Sequence, residues 1–260
     1  MTRLQLSIVA SAIALFFVLY FGCETQPKQQ QLLEKSRALA AERTDAGAMI
    51  EEAFARLKPA ERSAIQELAS KAEAAVGDTA AAPDLYRQLS GQWYQLGFQA
   101  IAGHYAQRVA ELINDDESWS IAGTTYLLCF QQSQEEKSKS YCLPKAITAF
   151  ENAISLAPDN VTHRVNLALC YVESPPQDNP MKGILMLRDL NTRYPGNLAV
   201  LNQLARLAIK TGQYDRAVER LQEALSINPN DANANCLMAL ALEESGKTEA
   251  AAPYALKCTR

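Results

Sequence analysis

The feature that most constrains this chain is a repeated helix pair. Residues 198–231 read LAVLNQLARLAIKTGQYDRAVERLQEALSINPND. Leu201, Leu204, Ala205 and Ala208 recur at helical spacing, as do Tyr214, Ala217, Leu221 and Ala224, with Gly212 between the two sets and Pro229 after the second. Such spacing places each set on one face of a helix, and Gly and Pro mark the turn and the stop. Small Ala205 and Ala217 let the two helices approach closely, while Ala224 leaves room for a neighbour. A unit of about 34 residues cannot bury both of its faces alone, so the pattern demands further units on either side.

They are present. Leu89, Ser90, Trp93, Gly97, Ala102, Ala106 and Val109 follow the same scheme over 83–115. Trp119, Ala122, Gly123 and Tyr126 give a first helix, and Ala146, Phe150, Ala153 and Pro158 its partner, separated by an insertion over 127–145. A further unit has Leu167, Ala168 and Tyr171, a turn through Pro175, Pro176 and Pro180, and a second helix with Gly183, Leu187, Leu190 and Pro195. The last, 232–260, keeps Met238, Ala239, Gly246, Ala251 and Ala255 but carries Pro253 inside its second helix. These residues resemble the tetratricopeptide repeat family over 83–260, as about five units of which two carry insertions. The resemblance implies an all-α, right-handed solenoid of antiparallel helix pairs, with a concave groove lined by the first helices.

Ahead of the repeats, 32–82 reads as amphipathic helices, with a break at Lys58-Pro59 and a loop over 78–83. Residues 24–31 form a polar, Gln-rich spacer. The run over 4–22, LQLSIVASAIALFFVLYFG, is long and apolar enough to enter a bilayer. Two readings fit 1–23: an uncleaved signal anchor, or a lipoprotein signal cut before a lipidated Cys23. Either makes this a membrane-tethered protein of the bacterial cell envelope.

Catalytic chemistry finds no footing. The two histidines, His104 and His163, fall in different repeats, and no HExxH pair, Walker loop or nucleophile elbow occurs. We therefore expect no enzyme activity, no cofactor, no metal site and no small-molecule substrate. A net charge of -4 without a long basic run argues against nucleic acid as a partner. The six cysteines lack CxxC spacing, which disfavours zinc or thioredoxin chemistry. Cys129 with Cys142, flanking the bulk of the insertion, and Cys236 with Cys258, on antiparallel helices, form two plausible disulfides. All remaining reduced and buried is the alternative.

The family resemblance implies protein or peptide partners held in the groove. From register, Arg87, Tyr94, Thr124, Asn202, Arg206 and Lys210 are left unused by packing and are the expected groove residues. Asn202, Arg206 and Lys210 recur every four residues, predicting a polar, basic stripe suited to an acidic segment. The expected function is a protein-protein interaction scaffold facing the periplasm. A chaperone-like assembly adaptor and a non-catalytic subunit of an enzyme complex are the alternatives.

Overall fold

The structure is a computed structural model that describes Gln5 and residues 46–258. The chain divides into two compact units, Met1–Ala48 and Met49–Arg260, and the repeats lie in the second. The expected membrane run over 4–22, Gln5 aside, lies outside the described residues, as do Cys23 and the spacer over 24–31. Among the described residues no helix is long and apolar enough to cross a membrane.

The described residues form twelve helices and are all-α: α1 Ala46–Arg56, α2 Pro59–Ala74, α3 Ala81–Gln95, α4 Gln99–Ile113, α5 Asp116–Gln132 and α6 Glu136–Leu156. They continue as α7 Val161–Glu173, α8 Lys182–Arg193, α9 Leu198–Lys210, α10 Tyr214–Ile227, α11 Ala232–Glu244 and α12 Thr248–Ala255. From α2 onward each helix packs on the next, and α5, α7, α9 and α11 also touch in succession.

Two kinds of local chemistry alternate along the chain and set this pattern. The first helix of a pair opens on a short acidic or amide side chain. Asp115, Asn160, Asn197 and Asp231 each accept a hydrogen bond from a backbone N–H in the first turn of α5, α7, α9 and α11. These N-caps satisfy donors that a helix start would otherwise leave without partners. Within three of the pairs the turn uses glycine: Gly212 has φ 72°, a left-handed conformation that side chains disfavour, and Gly97 and Gly246 occupy the same place in their pairs.

The core is a row of clusters rather than a single centre. Leu89, Trp93, Ile101 and Val109 pack with Ile65 and Leu68 at one end. Tyr126, Phe150 and Leu167 follow, then Val165, Leu187, Val200 and Leu204, then Leu201, Leu221 and Met238 at the other end. Close approaches replace side chains at three points, one of them Gly103, where an added Cβ would run into the Tyr126 ring. A Cβ added at Gly123 would lie 2.7 Å from the Phe150 ring, and one at Gly183 would lie 2.5 Å from the Ala168 carbonyl oxygen. The small residue expected at Gly183 is therefore required by backbone contact between α7 and α8.

Helix α1 is the exception to neighbour-to-neighbour packing. Phe54 meets the Trp93 ring edge-on at 5.5 Å between centroids, and Met49 reaches both the first cluster and the one around Tyr126. Glu52 pairs with Lys137 at 3.0 Å, and Arg56 with Glu135 at 3.5 Å. The helix thus lies across the far end of the α5–α6 pair.

Two expectations are corrected here. The insertion over 127–145 is not a loop: α5 runs on to Gln132 and α6 begins at Glu136, so the added residues form extra helical turns. Leu127, Cys129 and Cys142 are buried in this extension, and Pro144 is carried within α6. Apolar burial across the paired extension outweighs the polar composition of 131–140. The loop expected over 78–83 is shorter, because α3 already starts at Ala81. The Asp78 carboxylate accepts from the N–H groups of Ala80 and Ala81, and Pro83 falls in the first turn, where no amide hydrogen is needed.

Candidate functional site

The six residues expected to line the groove are not alike. Arg87 and Tyr94 are exposed on α3, with Arg87 paired to Asp84 one turn back. Thr124 is exposed on α5. Arg206 is exposed on α9, where its guanidinium donates to the Asn233 side-chain oxygen at 3.2 Å. Lys210 is exposed one turn on, 3.9 Å from Glu173 of α7.

Asn202 is a correction. It is 3% exposed, and its amide donates to Asp231 at 3.2 Å. Successive first helices touch each other, and the start of α11 covers the N-terminal half of α9. The expected stripe of three therefore shortens to Arg206 and Lys210. Arg206 bonds a neutral amide there, so its charge remains available, whereas the Lys210 charge is partly offset by Glu173.

A second feature was missed by sequence reasoning. Between α5 and the start of α7 lies an open cleft of about 440 Å³, lined by Asp116, Glu117, Ser120, Ile121, Thr124, Thr125, Asn160 and His163. His163 is buried, and its Nε2 lies 2.8 Å from Asp116 Oδ2. That bond is the main cause holding the Asp116 carboxyl below its usual range, with Asn160 adding a further hydrogen bond. The available signal was register: Asp116 and His163 sit near the starts of consecutive first helices, so repetition alone brings them together across 47 residues.

The cysteines expected as pairs are joined in the structure. Cys129 and Cys142 link α5 to α6 with Cα atoms 6.1 Å apart, and Cys236 and Cys258 tie the segment after α12 to α11 at 4.7 Å. Cys170 is buried and is the free thiol among the described residues. No group of three or more His, Cys, Asp or Glu side chains among those residues is placed to hold a metal ion.

Residues 206–246, running from the end of α9 through α10 and α11, match the family described as TPR repeat. The matched segment begins at Arg206 and includes its partner Asn233, so the basic position lies within it. No curated protein matches the chain. Among solved structures the chain is similar to "MamA AMB-1", with 22% identity, covering 68% of this chain and 89% of that one at a TM-score of 0.35. It is similar to a MamA protein at 18% identity over 70% of this chain and 91% of that one, TM-score 0.40. It is also similar to MamA 41-end from Desulfovibrio magneticus RS-1, at 15% identity over 69% and 94%, TM-score 0.42.

Proposed function

We propose that this protein is a non-catalytic scaffold, tethered to the membrane through residues 4–22 or Cys23, that holds partner proteins or peptides against the first helices of its tetratricopeptide units. The observation that carries this reading is Arg206: exposed, bonded among the described residues to the neutral Asn233 amide, and one turn from Lys210. A guanidinium so placed offers directional N–H donors to a carboxylate. Two disulfides within one domain support an oxidising compartment and hence a periplasmic soluble part, since such bonds are rare in reducing ones.

The test is capture from native membranes by the parent chain and by Arg206→Glu. Reversal of an exposed charge changes stability by less than about 0.5 kcal/mol. Adding repulsion toward an acidic segment lowers affinity by about tenfold or more. Equal capture of the same partners by both proteins would show the α9 stripe to be an ordinary solvated face.

A further inference from the structure

The tip of the α5–α6 extension has almost no core of its own. From 130 to 141 Ser138 alone is buried, with Phe130 and Tyr141 half-buried. The Cys129–Cys142 bond joins α5 to α6 at the base of this tip. What α1 meets on the extension lies at or beyond that bond: Glu52 pairs with Lys137 at 3.0 Å, Arg56 pairs with Glu135 at 3.5 Å, and Met49 packs on the cluster that contains both cysteines. The hold on α1 is thin. Ala53 is the one buried residue of that helix, and the side chains of the two ion pairs are 40% to 58% exposed, where such pairs contribute little. An open cleft of about 390 Å³ lies between α1, the α3–α4 turn and the tip, in place of a closed apolar seam. Weak exposed pairs cannot also offset the conformational entropy of ordering a loose tip. The disulfide removes most of that cost before α1 arrives, by fixing α5 to α6.

We propose that docking of α1 is conditional on the Cys129–Cys142 bond: the closed disulfide fixes the tip as a seat, and the reduced chain leaves α1 undocked while the helices behind it stay folded. Undocking uncovers the α3–α4 turn at Phe98 and the edge of the Trp93 ring that Phe54 meets, so the two redox states present different surfaces. The chemical step is thiol–disulfide exchange. Closing removes two electrons and two protons from the Cys129 and Cys142 thiols and forms one S–S bond, while a protein disulfide is broken and leaves as a dithiol; a dithiol reductant runs the step backwards. Cys129 is 2% exposed and Cys142 is fully buried, so exchange proceeds through the opened tip and the closed seat resists reductant until the tip frays. The inference stands independently of what the first-helix face binds.

The test uses the full-length chain in mild detergent, carrying Cys236→Ser and Cys258→Ser so that Cys129–Cys142 is the disulfide in play. It is prepared oxidised and, separately, with dithiothreitol from lysis onward, the thiol state being read by mass. Hydrogen exchange is followed at the slowest amides of 49–56 and of α3. In the oxidised chain the two sets should exchange together, and in the reduced chain 49–56 should outpace α3 by about tenfold or more. Lys137→Glu in the oxidised chain should raise that ratio about threefold through loss of the exposed Glu52 pair. In the reduced chain the same substitution should add nothing, because the pair is already open, a coupling that the double-mutant cycle reads directly. An unchanged rate for 49–56 on reduction overturns the proposal. A parallel rise in both sets, or unfolding of the whole reduced chain, also overturns it, since the bond is then a general staple. An equal effect of Lys137→Glu in the two redox states does the same.

Discussion

Asn202 and Asp231 are joined across two successive helix pairs: the Asn202 amide donates to Asp231 Oδ1 at 3.2 Å, and that same oxygen caps α11 by accepting from the Ala234 N–H at 2.6 Å. A residue expected to meet a partner is instead a tie between α9 and α11. Asn202→Ala should therefore cost about 1 to 2 kcal/mol of stability. Capture of partners per folded molecule should be retained, the reverse of the outcome for Arg206→Glu. Thermal unfolding beside capture separates the two, and an unchanged midpoint for Asn202→Ala would contradict the tie.

Two glycine substitutions should move stability in opposite directions. A Cβ at Gly183 meets the backbone of Ala168 and Val172, which cannot move aside without separating α7 from α8. Gly183→Ala should thus lose about 1 to 3 kcal/mol through overpacking. Gly91, exposed within α3, would place its Cβ in open space, and Gly91→Ala should gain about 0.5 to 1 kcal/mol from helix propensity. Urea midpoints for the two variants check both signs.

Thiol chemistry should discriminate sharply among the described cysteines. Burial pushes the Cys170 thiol up to about 12, leaving it protonated at neutral pH and slow to alkylate. Iodoacetamide should label Cys170 only on unfolding, and Cys129, Cys142, Cys236 and Cys258 only after reductant is added. Replacing Cys129 and Cys142 together by Ala should cost about 3 kcal/mol, the scale expected for closing a loop of this length. Native labelling of Cys129 or Cys236 without reductant would show that these pairs are open in the isolated protein.

Acid should weaken the start of α3. The backbone N–H groups of Ala81, first, and Ala80 hold the Asp78 carboxyl below its usual range. A depressed carboxyl adds stability that is complete above its unfolded value of about 3.9 and is lost as pH falls through the lower folded value. Asp78→Ala should accordingly lower the urea midpoint at pH 6, and the gap from the parent should shrink below about pH 4. A gap that stays constant down to acid pH would exclude the cap.

Much of the fold was legible because one signal repeats. The spacing of Leu201, Ala205, Ala217 and Leu221 carried two helices and their turn, and the same spacing elsewhere carried the helices around Trp93, Tyr126 and Leu187. What was not legible depended on neighbours. The polar run over 131–140 looks like a loop until Cys129, Cys142 and Leu127 are seen packed between two lengthened helices. Asn202 looks free until α11 is laid across α9. The Asp116–His163 contact joins residues from consecutive units, and no window within one unit contains both. Register along a helix states which face a residue occupies, whereas burial of that face depends on what the following unit places upon it.

The position of α1 changes how this protein should come apart. In a row of repeats, stability is a sum of units and nearest-neighbour interfaces, so an end can fray while the middle persists. Here Glu52 reaches Lys137 over 85 residues and Arg56 reaches Glu135 over 79, with Met49 and Phe54 wedged into two separate clusters. Those long-range contacts close a loop through α1 to α6, so none of the helices within it can melt without cost to the others. The slowest amide protons of α1 to α6, those inside the helices, should exchange at a common rate set by one opening event. At the C-terminal end α12 is eight residues long, packs mainly on α11 and is tied back to it by the Cys236–Cys258 disulfide. With that disulfide reduced, unfolding should enter from there and halt at the strapped half, giving the molecule a slow block and a fast block despite its uniform architecture.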